Sequence, residues 1–279
     1  GKVGMLLLDP NDIVIQAALP TSGGFSNPYS GTGFNPANLK TSDLVTALGA
    51  SNVTVQTSAT TPGGTGLITI QDPFSWASNQ SLFINAQSHV NISGLVQCSG
   101  SGGITVSAGG NINVNATANP VGFALTGGNI TLSCPGDLIL QAGTGVGATA
   151  VMKTDTGQIS VSANNVSLTG GSVNPNLYAE MSSRLGPVVF SSIAGNLSVL
   201  GGSTQGSYAQ IGKGAITGAI TTITSPITFT TIGGNVVVQG GTGNSAFAQI
   251  GHAPFGGGVN IAVSGAITFP MNGVGGSVT

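Results

Sequence analysis

Charge is what this chain most lacks. Its 279 residues include only 5 Lys+Arg and 7 Asp+Glu, where an average globular protein gives about a quarter of its positions to these types. A net charge of −2 supplies no basic footprint for nucleic acid and no polybasic stretch for anionic lipid. It also leaves little repulsion between copies, so self-association meets no electrostatic barrier. Long hydrophobic runs are missing too. The longest, Met5 to Leu8, falls far short of the ~18 residues a membrane helix needs. Aromatics are 5 %, too few for the girdles of a membrane barrel. No membrane insertion is expected. Cysteine is nearly absent, which excludes a disulfide-stapled scaffold.

The polar surface must therefore be made of Ser, Thr, Asn, Gln and Gly. The chain holds 47 Gly and 13 Pro, below the level at which low complexity becomes the default reading. Its apolar content is 40 %, much of it Val, Ile and Leu, enough to bury a core. The sequence opens without an initiator Met or a signal peptide, which reads as a processed chain or a piece of something longer. Both ends are expected to be held by neighbouring material.

Internal repeats decide the fold. One pattern recurs: aliphatic residues alternating along a strand, a small residue, a short turn, then two more alternating aliphatics. It reads Leu82, Ile84, Ala86, then Val90, Ile92, and returns as Ile104, Val106, Ala108, Ile112, Val114. It returns again as Ile130, Leu132, Cys134, Leu138, Leu140, and as Ile159, Val161, Ala163, Val166, Leu168 with one turn residue fewer. Looser copies are Val188, Phe190, Ser192, Leu197, Val199 and Ile227, Phe229, Thr231, Val236, Val238, with a last partial copy at Ile267 and Phe269. A second series runs beside the later copies: Thr149-Ala150-Val151-Met152, Tyr178-Ala179-Glu180-Met181, Tyr208-Ala209-Gln210-Ile211 and Phe247-Ala248-Gln249-Ile250.

The first series starts at intervals of 22, 26, 29, 29, 39 and 40 residues. Regular strands with irregular spacing are what a solenoid permits, because turns can bulge outward while strands must stack. Period-2 alternation puts one strand face in and one out. The reading is an all-β, right-handed parallel β-helix of about eight or nine coils, some 40 Å long at the ~4.8 Å strand spacing. Its structural ladder is Leu82, Ile104, Ile130, Ile159, Val188, Ile227 and Ile267. Ala86, Ala108, Cys134 and Ala163 hold a small corner position, where a larger inward residue would clash with the turn. Gly-Gly and Gly-Asn turns (Gly109-Gly110-Asn111, Gly128-Asn129, Gly195-Asn196, Gly234-Asn235) are expected to supply positive φ at corners.

Residues 1–80 differ and read as a cap-like region with the first coils; residues 81–279 read as one continuous domain of repeats. One short helix is expected near 41–49, with Thr41 or Ser42 as N-cap, Leu44 and Leu48 as i,i+4 partners, and Gly49 at C′. Met5 to Ile15 reads as strand, turn at Asp9-Pro10-Asn11-Asp12, and strand.

The block Leu6-Leu7-Leu8-Asp9-Pro10-Asn11-Asp12-Ile13, the Leu/Ala helix, Ser51-Asn52-Val53-Thr54-Val55, Ile68-Thr69-Ile70, Trp76 and Leu82-Phe83-Ile84-Asn85-Ala86 follow in an order that resembles filamentous-haemagglutinin-like exoproteins of the two-partner secretion type. The Gly-Gly…Tyr/Phe-Ala-Gln-Ile-Gly copies at Gly201–Gly212 and Gly240–Gly251 look like repeats of that bacterial adhesin class. The resemblance spans nearly the whole chain. It implies a right-handed β-helix, secretion to the cell surface of a Gram-negative-type bacterium, and roles in adhesion, aggregation or biofilm, with host or surface glycans as partners. Asn174-Pro175-Asn176-Leu177 looks like the family's secretion-domain motif but falls mid-solenoid and reads as a turn.

Catalysis needs convergent groups. The acids, Asp9, Asp12, Asp43, Asp72, Asp137, Asp155 and Glu180, are scattered. His89 falls in a turn, and His252 occupies a repeat position where the sister copy has Lys213, which reads as a solvated turn. Gly206…Gly212-Lys213-Gly214 has the wrong spacing for a phosphate loop and lacks its hydroxyl residue. Cys98 and Cys134 fall on different sides of the coil and read as small buried residues. Seven Asn-x-Ser/Thr triplets, at Asn52, Asn79, Asn91, Asn115, Asn129, Asn165 and Asn196, read as compositional, with amide ladders between coils as the structural alternative. No cofactor and no metal are called for. The expectation is a structural or adhesive surface protein, a rod segment of a large exoprotein or a filament subunit, that associates end to end or continues into a longer chain. The alternative is a carbohydrate-active β-helix enzyme. A third reading, ice or surface binding, is weakened because Thr221, Thr222, Thr224, Thr228, Thr230 and Thr231 cluster in one coil.

Overall fold

The computed structural model describes residues 12–23, 36–57, 65–213, 222–252, 262–263, 265–269 and 274–279. It is a right-handed parallel β-helix. Nearly every described strand belongs to one of three stacked sheets of nine, eight and seven strands, and every pairing is parallel. The chain passes from the nine-stranded sheet to the seven-stranded sheet to the eight-stranded sheet in each coil. Thus Val90–Ile92, Leu95–Cys98 and Ile104–Ala108 form one turn of the solenoid.

The ladder aligns in register. Leu82 pairs with Ile104, Ile104 with Ile130, Ile130 with Ile159, Ile159 with Val188, Val188 with Ile227 and Ile227 with Ile267, and Val53 adds a rung before Leu82. From Leu82 to Ile227 these side chains are buried; Ile267, in the last coil, is 44 % exposed. Each fully buried aliphatic contributes about 1.5–3 kcal/mol, and no coil covers its own inner face. Two positions on, the column ends in stacked rings: Phe190 on Phe229 at 4.7 Å and Phe229 on Phe269 at 5.0 Å, the strand spacing itself.

The corner position needs one correction. Ala86, Ala108, Cys134 and Ala163 are buried as a column, but the looser copies place Ile193 and Ile232 there, not Ser192 and Thr231. A bulge between Phe190 and Ser192 moves the corner outward and admits the larger side chain.

Residues on both sides of position 80 share the same sheets: Val53–Gln56 pairs with Leu82–Asn85, and Phe74–Trp76 pairs with Val96–Cys98. The strand Ile13–Gln16 is present; residues 1–11, with Met5 to Leu8 and Asp9 to Asn11, lie outside the described residues. The helix is Thr41–Leu48, with Leu44 and Leu48 fully buried. Its caps are not those expected. Lys40 is the N-cap residue, with no side-chain cap bond, and Gly49 is right-handed at φ −66°. Thr21 braces the entry to the helix instead: its Oγ1 accepts the Lys40 N–H at 3.1 Å and donates to Asp43 at 2.6 Å.

The helix takes the place of a strand in the seven-stranded sheet and packs on Phe74–Trp76. A helix is about 10 Å across, twice the strand spacing. The strand that feeds it, Ala37–Lys40, accordingly stands two levels from Ile68–Ile70, and Ile13–Gln16 fills the level between. Beyond Ala37–Lys40, the edge of the sheet is met by Ser22, which bonds both the carbonyl and the N–H of Asn38. At this end, among the described residues, the helix covers the seven-stranded sheet and Ser22 meets the nine-stranded one, while Val53–Gln56 is the edge of the eight-stranded sheet.

Candidate functional site

The corners between the eight- and nine-stranded sheets carry a continuous polar column. His89 Nδ1 accepts the Asn111 N–H, Asn111 Oδ1 accepts the Asp137 N–H, and Asp137 Oδ1 accepts from Asn165 Nδ2. Asn165 Oδ1 then accepts the Asn196 N–H, Asn196 the Asn235 N–H, and Asn235 the Ser277 N–H, at 2.7–2.8 Å. The amides mostly bond backbone rather than one another; a direct amide rung joins Asn113 to Asn91 at 2.9 Å. This column explains Gly110, Gly136, Gly195 and Gly234, while Gly109 and Gly128 lie against the backbone carbonyls of Gln87 and Gly102 in the coil below. None of Gly109, Gly110, Gly128, Gly195 or Gly234 has positive φ. A Cβ at Gly195 would stand 2.3 Å from Asn165 Oδ1, at Gly234 2.4 Å from Asn196 Oδ1, and at Gly136 2.2 Å from Asn111 Oδ1. Gly precedes Asn because the side chain of the coil below needs the space.

Each described carboxylate is engaged. Asp12 Oδ1 accepts from the Thr65 N–H, the Thr65 hydroxyl and the Leu67 N–H. Asp72 accepts the Ala17 N–H at 2.6 Å. Asp43 and Asp137 hold the bonds given above. Asp9 is outside the described residues. No three His, Cys, Asp or Glu side chains converge as a metal site among the described residues. Cys98 and Cys134 are buried free thiols, and burial pushes Cys134 up to about 11.

The remaining described acids belong to a place where charge gathers. Lys153, Asp155, Glu180, Arg184 and Lys213, five of the chain's twelve Lys, Arg, Asp and Glu residues, meet on the outer side of the seven-stranded sheet. Three successive coils supply them: Ala150–Thr154 pairs with Ala179–Ser183, which pairs with Ala209–Ile211. Arg184 grips Asp155 in a two-pronged bond, Nε to Oδ1 at 2.5 Å and Nη2 to Oδ2 at 2.7 Å. That guanidinium holds the Asp155 carboxyl below its usual range, and the Lys213 charge adds to the effect. Glu180 is 4 % exposed; it accepts from the Ser182 hydroxyl at 2.5 Å and faces Lys213 Nζ at 3.7 Å. Lys153 has no ion-pair partner among the described residues.

A groove of about 280 Å³ opens beside this cluster, lined by Gln97, Ala124, Thr126, Lys153, Asp155 and Arg184 among others. Ala124 is its floor. Gln97 stands one coil before it and Lys153 one coil after, as direct cross-strand partners. Next to the cluster, Tyr178, Tyr208 and Phe247 stack at 4.7 Å with rings within 3–4° of parallel. Burial, then the Glu180 charge, pushes the Tyr178 hydroxyl up.

His252 is not a solvated turn. Its Nδ1 accepts the Lys213 N–H at 2.9 Å and its Nε2 meets the Ser225 carbonyl at 2.7 Å, which fixes the neutral Nε2–H tautomer. The sequence reading treated the acids as scattered and did not join the cations to them. A signal was available: aligned on the second series, Lys153 follows Met152, Arg184 lies three residues after Met181 and Lys213 two after Ile211, all on one side of the coil. Comparison with protein-family models, with curated proteins and with solved structures finds no match to this chain.

Proposed function

We propose that this chain is an extracellular structural and adhesive β-helix, a rod segment of a large surface exoprotein or a subunit of a surface filament. The observation that supports the reading is the difference between the two coil ends. One carries the helix Thr41–Leu48 over the seven-stranded sheet and Ser22 on the outer strand of the nine-stranded one. The other presents Ile267 at 44 %, Phe269 at 40 % and Val278 at 66 % exposure, the last described members of their columns. Open strand edges template further pairing, and a net charge of −2 does little to oppose it. Coils of a longer chain, or of a second copy, would extend the rod at that end. Adhesion, aggregation and biofilm formation are the roles that suit such a rod on a bacterial surface.

The test is sedimentation velocity from low micromolar to near-millimolar concentration, with electron microscopy of the same samples. Association that Phe269→Lys and Ile267→Lys abolish is the expected result. A chain that stays monomeric across that range and shows no rods overturns the reading.

A further inference from the structure

We infer that the groove over Ala124 is a binding site for an acidic saccharide, a sugar chain bearing carboxylate groups. The inference stands on the charge cluster and holds whether or not the rod assembles. In a chain with so few ionisable residues, three of the 5 Lys+Arg line this groove: Lys153, Arg184 and Lys213. Structural need accounts for only part of that. Arg184 is matched by Asp155 and Lys213 by Glu180. Lys153 is matched by nothing among the described residues, so the cluster carries one excess positive charge in a protein whose total is negative.

The arrangement distinguishes among anions. The three cations do not converge on a point, as they would for a single phosphate. They rise over three successive coils, about 10 Å along the axis at the strand spacing. The groove between them is shallow; its other lining is the Gln97 amide, the Thr126 and Thr154 hydroxyls, the apolar Ala124 and Leu125, and Asp155, whose charge Arg184 already matches. Amide and hydroxyl groups flanking spaced cations match a ligand of many hydroxyls carrying separated carboxylates. Arg184 still has unused N–H donors after the Asp155 pair, because a guanidinium has five and two are taken. A carboxylate placed between Lys153 and Arg184 would be held by both, with neighbouring hydroxyls reaching Gln97 and Thr126. No aromatic ring is among the described residues that line the groove, so these offer no stacking platform for nucleic-acid bases.

The experiment is titration calorimetry of the full chain with oligogalacturonate, with a neutral oligogalactan of the same length, with poly-glutamate and with acetate alone. Oligogalacturonate should bind, more weakly as salt rises, and the other three should not bind at the same concentration. Lys153→Gln removes the unmatched charge without stranding Glu180 or Asp155; it should weaken oligogalacturonate binding at least tenfold with no change in melting temperature. Absence of oligogalacturonate binding overturns the inference, as does equal binding of the neutral oligosaccharide or an unaltered affinity in Lys153→Gln. Comparable binding of acetate or poly-glutamate overturns the saccharide assignment.

Discussion

The polar column can be tested at Asn165, where it changes character. Asn165 gives its Nδ2 to the Asp137 carboxylate at 2.7 Å and takes the Asn196 N–H on Oδ1 at 2.7 Å. The first bond is charge-assisted, worth about 1.5–3 kcal/mol, and the second neutral, worth about 0.5–1.5 kcal/mol. Both lie at a half-exposed corner, so water recovers part of each, and Asn165→Ala should cost about 2 kcal/mol. Asn165→Asp keeps the acceptor for Asn196 but replaces the donor to Asp137 with a second carboxylate. Two like charges 3–4 Å apart repel by about 1 kcal/mol even at the dielectric constant of water. Asn165→Asp should therefore lose at least as much as Asn165→Ala. Combined with Asp137→Asn, the donor and the charge simply change places across the same gap. The double variant should recover most of the loss, with a coupling energy of about 1–2 kcal/mol. Denaturant unfolding measures each free energy, and thermal scans should follow at roughly 2–4 °C per kcal/mol for a chain of this size. Strictly additive single effects would show that Asp137 and Asn165 do not act as a pair and would remove the column as a source of stability.

Three further outcomes follow from the packing. Ala108→Leu, in the 7 %-exposed corner column between Ala86 and Cys134, should destabilise by about 1–3 kcal/mol, since this coil lacks the bulge that admits Ile193; an unchanged melting temperature would place the residue outside the interior. His252 is held in its neutral form, and burial lowers its folded pKa below the usual 6.5. Its contribution is thus complete above the unfolded pKa and is lost as pH falls through the folded value. Stability should drop in mildly acidic buffer, and His252→Asn should flatten that dependence; a profile identical in wild type and variant would contradict the tautomer. Cys98 and Cys134 should resist thiol reagents in the native chain and react as two equivalents once it is unfolded; zero equivalents after unfolding would mean a disulfide.

The sequence announced the β-helix because its inner faces obey one rule: an aliphatic at every second residue, repeated coil after coil. Leu82 to Ile227 could be aligned by eye because a buried column tolerates few substitutes. The corners were less legible. Ile193 replaced Ser192 because a one-residue bulge shifts register without changing composition, and pattern matching cannot see a bulge. The turn glycines suggested positive φ, but Gly136, Gly195 and Gly234 are there to clear the amide of the coil below, a contact between residues 25 to 38 positions apart. The helix start was hidden for the same reason: Thr21, twenty residues upstream, braces it, with no local side-chain cap. The charge cluster is a product of stacking. Lys153, Arg184 and Lys213 are unremarkable singly and acquire meaning only when three coils are laid on one another.

The column of Asn111, Asp137, Asn165, Asn196 and Asn235 also gives the rod a sense of direction. At nearly every step, a side chain of the earlier coil receives a backbone N–H of the later one. Such an acceptor asks of the next coil only a main-chain donor and a glycine that leaves it room. A new coil arriving on the finished side finds its docking groups already fixed in place. The helix-covered end is then the natural seed, and order would spread from it one coil at a time.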